Sequence, residues 1–314
     1  MSKSAITCRV CSSQNQHECL LAKDVNQAKS DTSFFYYCCN DCRSVFLDPV
    51  PDNLGFYYGQ DYPAYAVKNS KSVEKKLNFL EREKLKIVKR HVSSGRLVEV
   101  GPAAGRFLSV ASRAGYDVLG IEQDVGCFEH IKNVLCLGVK QSDKPADELA
   151  LLTDSCDVIV AWHVIEHLQD LRGFVSSAAK ALRQPYGVII ISAPNPEALS
   201  LKLFGYCWVH LDAPRHLTLI PLFALDRLMA AHGLERVGCV FDDAVGLLLN
   251  KTGWQGSLAN FSRQKKICPR LLTRLLGRML AILMAFFDRI HRNGAAYTAT
   301  YKHRTSLIVG KKEK

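Results

Sequence analysis

The sequence predicts an α/β protein built on a largely parallel sheet, and three observations carry that prediction. From Gly95 onward, short β-branched runs alternate with amphipathic stretches of helical period. The first of those strands, RLVEV, runs into a turn of small residues, Gly101, Ala103 and Gly105, immediately before a helix. The next strand, DVLGIE, ends in an acid, Glu122, about 20 residues beyond the glycines, where a carboxylate accepts hydrogen bonds from paired ribose hydroxyls.

Taken in chain order, residues 1–55 are rich in turns and cysteines and close on the strand-like VFLDP. Six of the twelve cysteines fall before residue 43. Cys8-x-x-Cys11 and Cys39-x-x-Cys42 form two knuckles that supply four thiolates for a tetrahedral structural zinc, with Cys38, Cys19 and His17 as spare ligands. With no coordination position left open, such a metal folds the segment and does no chemistry. A redox role is disfavoured, because neither pair opens a helix inside a βαβ unit. The other six cysteines stand singly among apolar residues, as buried small hydrophobes do.

Residues 56–95 read as a Tyr-rich linker, FYYGQDYPAY, followed by an amphipathic helix over 73–91. Helices are then expected near 106–114, 125–135 and 171–182, between the strands RLVEV, DVLGIE, CDVIVAW and GVIIISAPN. The small-residue turn lets a ligand approach the backbone, and Glu99 precedes Gly101 by two residues, within reach of an ammonium on the same ligand. A nicotinamide dinucleotide would also satisfy Glu122, but the full G-x-G-x-x-G is missing.

EVGPAAG resembles the E/D-x-G-x-G-x-G motif of class I S-adenosylmethionine-dependent methyltransferases, with Ala103 in place of the middle glycine. The resemblance implies that Glu99 meets the methionine ammonium of S-adenosylmethionine, Glu122 the ribose hydroxyls and Asp143 the adenine amino group. AWHVIEHLQD resembles the HxxEH signature of a subgroup that includes ubiquinone-biosynthesis O-methyltransferases and enzymes of surface-glycan gene clusters. APNPEALSLKLFGYCWVHLDAPRHLTLIP resembles the same subgroup's PN…W-x-H-x-D-x-P-R-H-L segment, and the N-terminal CxxC, YYxCxxC and VFLDP its zinc-knuckle leader. The implied fold is a Rossmann-like seven-stranded sheet with a zinc-ribbon-like module at its N-terminus and a helical insertion before the last strand; LERVGCVF and TSLIVGKK resemble its sixth and seventh strands, which implies a core over 96–245 and 301–314 interrupted by an insertion over 246–300.

Methyl transfer is an in-line displacement from a sulfonium, so the protein must align the acceptor and take its proton. His163, Glu166, His167 and His216 are the candidates, with His163 or His216 as general base and Glu166 orienting it. A purely supporting arrangement is the alternative: His163 stacked on the cofactor, with Glu166 and His167 capping a helix. In the same way Arg215 either shapes the acceptor site or pairs with Asp212 to hold its loop. The expected acceptor is a hydroxyl, less readily a carbon or amine, of a small metabolite, glycan or lipid-linked molecule. The rival reading is a non-catalytic zinc-containing interaction protein on the same fold.

Charge is concentrated at one end. Residues 261–314 hold 13 Lys or Arg against two acids, a surplus equal to the net charge of the whole chain, +11. The stretch 269–293 reads as one amphipathic helix, with Leu272, Leu275, Leu276, Met279 and Leu283 on one side and Arg270, Arg274 and Arg278 on the other. That pattern predicts packing on the protein's own core or on a dimer partner, or peripheral contact with an anionic membrane surface. A nucleic-acid partner is not expected, because the basic residues lack the interleaved aromatics of a strand-binding groove. The opening MSKSAITCRV has no apolar run of a secretory leader, so a cytoplasmic location is expected.

Overall fold

The computed structural model describes residues 6–58, 71–267, 270–291 and 294–304. Its centre is a seven-stranded sheet formed by β4 (Gly95–Val100), β5 (Tyr116–Glu122), β6 (Gly138–Gln141), β7 (Val158–Trp162), β8 (Val188–Pro194), β10 (Leu234–Val240) and β11 (Ala296–His303). The order across the sheet is β10-β11-β8-β7-β4-β5-β6. β4, β5, β6, β7 and β8 run parallel, whereas β11 is antiparallel to both its neighbours. β7 and β8 are buried along their whole length, which explains their unbroken apolar sequences, VIVAW and VIIISAP.

The sequence placed a strand at 305–312, and that stretch lies outside the described residues. The position in the sheet beside β8 is filled by Ala296–His303 instead. Thr298 and Thr300 are buried in this strand, so its polar composition, AYTATYKH, concealed a central position.

Helices α1 (Leu54–Tyr58), α2 (Lys71–Lys89), α3 (Arg106–Arg113), α4 (Val125–Glu129), α5 (Pro145–Ala150), α6 (Leu171–Ala181), α7 (Leu199–Phe204) and α8 (Leu222–Ala230) follow in chain order, and α2, α3 and α6 stand where the periodicity placed them. The insertion holds two long helices, not one: α9 (Ala244–Lys265) and α10 (Arg270–His291). The buried positions of α9 are Gly246, Asn250, Gly253, Trp254, Ser257, Asn260 and Ser262, so a helix-spaced stripe exists, but apart from Trp254 it is small and polar and hydrophobic periodicity cannot register it.

A second sheet contains β1 (Gln16–Lys23), β2 (Ser33–Cys39), β3 (Val45–Leu47) and β9 (Thr218–Leu219), in that order and antiparallel throughout. Its last strand belongs to the PRHL segment, with Val45 opposite Leu219 and Phe46 opposite Thr218. The N-terminal segment is therefore stitched into the larger unit. Cys8, Val10, Cys39, Cys42 and Phe46 share one apolar core with the big sheet, and Tyr36, Leu47 and Tyr57 share another with Trp208, Leu211 and Leu217.

Candidate functional site

At the carboxyl end of β4 the chain turns through Gly101 (φ 65°), Ala103 (φ 49°) and Gly105 (φ 70°), all in the left-handed region. Glycine is required at two of these positions by packing as well as by φ. A Cβ on Gly101 would lie 2.7 Å from Val164 Cγ2, and one on Gly105 2.7 Å from Ile131 Cγ1. These two glycines thus accommodate neighbouring side chains, not only a ligand as their spacing suggested. Ala103 adopts the same conformation with a Cβ, and its N–H donates to Glu122 Oε2 at 2.7 Å while Asp124 N–H donates to Oε1 at 2.8 Å.

Two buried acids converge on this turn. Glu122 is buried at the end of β5, its carboxylate held in place by these backbone N–H groups. Glu99 is 3% exposed, and its Oε2 has no hydrogen-bond partner. Burial pushes the Glu99 carboxyl up to about 8 against the pull of the Lys84 ammonium. An orphaned buried carboxylate beside a glycine turn suits an ammonium, and a carboxylate at the next strand end suits a ribose, so these residues fit S-adenosylmethionine. Asp143 stands apart from them, exposed on the loop after β6.

Beyond β7, the chain passes through His163 (φ 57°) to a single helical turn, Ile165–His167. A left-handed histidine at a strand end is a strained conformation held by its surroundings. Its Nε2 lies 3.1 Å from Ser192 Oγ and its Nδ1 3.5 Å from Glu166 Oε1. Val164, the next residue, is the one that fills the space above Gly101, so the cofactor turn and the histidine segment are in direct contact.

Glu166 is 1% exposed, and neither of its oxygens has a well-formed hydrogen bond. Burial alone would raise its carboxyl, but His163 at 3.5 Å and the charge that His216 and His167 can carry outweigh it and hold the group below its usual value. Glu166, His167 and His216 bring one ligand atom each within 4.8 Å of one another, a set able to share a proton or hold a cation. The ring of His167 meets that of His216 edge-on at 4.6 Å.

The two rings have different partners. His167 Nδ1 lies 3.0 Å from the Arg215 carbonyl and 2.9 Å from Tyr58 Oη, and burial together with His216 pushes its pKa down to about 4. His216 Nδ1 lies 2.8 Å from the His210 carbonyl. A carbonyl only accepts, so the neutral His216 ring carries its proton on Nδ1 and presents a basic Nε2.

Behind these rings, Arg215 is fully buried and forms a double ion pair, Nη2 to Asp24 Oδ1 at 2.7 Å and to Asp212 Oδ1 at 2.8 Å. The two acids come from the N-terminal sheet side and from the loop itself, so Arg215 fixes the one against the other. Sequence reasoning missed Asp24, Tyr58 and Ser192. None has a spacing signal, since each reaches the site only through the fold.

The four sulfurs of Cys8, Cys11, Cys39 and Cys42 lie within 4.8 Å of one another, with Cys8–Cys42 at 3.6 Å and Cys11–Cys39 at 3.5 Å. Tetrahedral zinc with bonds of about 2.3 Å sets its sulfurs roughly 3.8 Å apart, so the donor set and spacing fit structural zinc. Cys38, the rival for Cys39, points its sulfur toward the Cys39 carbonyl at 3.8 Å and stays out of the cluster.

The sheet order, the acid-tipped β5 and the glycine turn are those of an α/β domain suited to a nucleoside cofactor at the carboxyl edge of its sheet. Residues 73–237 match the Methyltransferase domain family, and the chain belongs to it. It is an S-adenosylmethionine-dependent methyltransferase. The ubiquinone biosynthesis O-methyltransferase of Rhizobium etli is 25% identical over 173 residues, which cover 52% of this chain and 67% of that one. The enzyme of the same name from Cereibacter sphaeroides is 23% identical over 177 residues, 52% of this chain and 68% of that one. The PH0226 protein of Pyrococcus horikoshii shares the fold, with TM-score 0.51 and 13% identity over 79% of this chain and 98% of that one.

Proposed function

We propose that the enzyme methylates a hydroxyl of a small or lipid-linked acceptor, with His216 as general base and Glu166 stabilising the imidazolium that forms. The observation that carries this reading is the hydrogen bond from His216 Nδ1 to the His210 carbonyl beside a buried carboxylate: the tautomer is fixed, and Nε2 is left to take a proton. When bound, S-adenosylmethionine supplies an electrophilic methyl on a sulfonium. Glu99 holds its ammonium, Glu122 its ribose hydroxyls, and Asp143 borders the adenine side. His163, between the glycine turn and Glu166, lines the passage from cofactor to base. His167 serves as a neutral support, since its low pKa makes it a poor base near neutrality. The distant O-methyltransferase relatives support a hydroxyl acceptor. We assign structural zinc to Cys8, Cys11, Cys39 and Cys42.

The test begins with calorimetric titration of zinc-analysed protein with S-adenosylmethionine, alongside Glu122→Ala and an NAD control. Binding lost in the variant, with none to NAD, is expected. Acceptors bearing phenolic, sugar and isoprenoid hydroxyls are then screened. His216→Asn should lower kcat by about 10²–10⁴ while leaving cofactor affinity within twofold. Undiminished turnover in that variant overturns the base assignment, and a product methylated on carbon or nitrogen overturns the hydroxyl.

A further inference from the structure

The pair α9–α10 is packed inside out for a protein surrounded by water. α10 turns Thr273, Gly277, Ala281 and Asp288 toward the protein, and all four are buried. Thr273 Oγ1 lies 3.1 Å from Ser262 Oγ, and Asp288 Oδ2 accepts from Trp254 Nε1 at 2.7 Å. At Gly277 the backbones approach closely: a Cβ there would lie 3.3 Å from Gln255 Cα. The large apolar residues point the other way. Leu272, Leu275, Met279, Ile282, Leu283 and Phe287 are all exposed, Met279 at 68% and Ile282 at 76%.

Single exposed leucines are ordinary, but six large apolar side chains at helical spacing on one face are not. In water an amphipathic helix buries that stripe and shows its polar side. Small residues between helices and large ones outside is the arrangement of helices whose outer neighbour is hydrocarbon. No described helix is long and apolar enough to cross a membrane. The remaining geometry is a helix lying in the plane of the interface.

The charges around this face select the kind of surface. Asp288 is the one acid in the α10 sequence, and it is turned inward against Trp254. Arg278 on α10 and Lys265 and Lys266 at the end of α9 are exposed. The rim is cationic, which complements anionic headgroups.

We propose that the outward face of α10 docks on the surface of an anionic lipid bilayer. The helix pair is also tied to the histidine segment: the His210 ring donates from Nε2 to the Leu249 carbonyl of α9 at 2.9 Å, and Val209 N–H donates to Ser257 Oγ at 3.0 Å. Docking therefore holds the loop that carries His216 close to the lipid. That consequence rests on the methyl-transfer reading, whereas the docking does not.

The experiment is sedimentation of the full, zinc-loaded chain with vesicles of phosphatidylcholine alone and of phosphatidylcholine mixed with phosphatidylglycerol. The expected result is partition onto the mixed vesicles, weaker on neutral ones and falling as salt is raised. Ile282→Asp and Met279→Asp should each weaken it about tenfold or more, and Arg278→Glu should weaken it on anionic vesicles only. Thermal melts matching the parent protein show that the variants fold. Protein left in the supernatant with both vesicle types, or partition indifferent to all three variants, overturns the proposal. So does a stable dimer in solution that Ile282→Asp dissociates, since the face then belongs to a second copy.

Discussion

Ala103 stands where the methyltransferase motif has glycine, and its φ of 49° shows why glycine is usual there. A left-handed non-glycine residue costs roughly 1–2 kcal/mol, offset in part by the lower freedom of the unfolded chain. Ala103→Gly should therefore leave stability unchanged or raise it by up to about 1 kcal/mol, read by thermal denaturation. A clear loss would mean that the Ala103 methyl has a packing role. Glu99 gives a different test. With burial holding its carboxyl near 8, it is mainly protonated at pH 7 in the free enzyme, and an incoming ammonium needs it ionised. Cofactor binding should then release a proton at pH 7 and tighten as pH rises toward 8. Calorimetry in buffers of different ionisation enthalpy measures this, and Glu99→Gln should abolish it. Arg215→Met leaves Asp24 and Asp212 buried without their cation, and a loss of about 3–5 kcal/mol in unfolding free energy is expected.

At the scale of elements, the strands and helices of the parallel half were legible because each is either uniformly apolar or amphipathic. The glycine turn, Glu122 and the HVIEH run were legible for the same kind of reason: local spacing carries them. What was not legible is cross-chain. α9 is buried through glycine, serine and asparagine around a single Trp254, β11 through alanine, threonine and tyrosine, and β9 is a strand only because β3 lies beside it. Nor was the inward face of α10 legible: it is set by α9, where Gly277 lies against Gln255, Thr273 Oγ1 near Ser262 Oγ, and Asp288 accepts from Trp254 Nε1. Gly256 packs α9 against the histidine loop instead: a Cβ there would meet Val209 Cγ2 at 3.1 Å. Gly256→Val should push α9 away from the Val209–His216 loop, lowering kcat more than cofactor affinity. Equal loss in both would instead indicate general unfolding.

For the whole molecule, acid sensitivity follows from two histidines held neutral. Burial pushes His167 and His210 each down to about 4, below the value of about 6.5 that a histidine has in an unfolded chain. The unfolded state then binds more protons, so the stability these groups contribute is complete above pH 6.5 and is lost as pH falls toward 4. Melting temperature should decline across that window, and His210→Gln, whose amide can still donate to the Leu249 carbonyl, should make the decline shallower. An unchanged slope would place the acid sensitivity elsewhere. The four-cysteine cluster acts at the same scale. It shares a core with the large sheet, so zinc chelation or Cys39→Ser should lower the melting temperature of the entire protein and not of a detached segment. Two separate transitions in calorimetry would contradict that coupling.

The pairing of Val45 with Leu219 and Phe46 with Thr218 also dictates an order of events during synthesis. The first three strands of the small sheet leave the ribosome early, yet their fourth strand and the arginine that neutralises Asp24 are made some 170 residues later. Until then the nascent chain carries an open strand edge and an unpaired acid, which are hazards for a growing polypeptide. Early metal capture by the two cysteine knuckles, both complete by residue 42, would give that first segment a provisional anchor while the rest of the chain is still being translated.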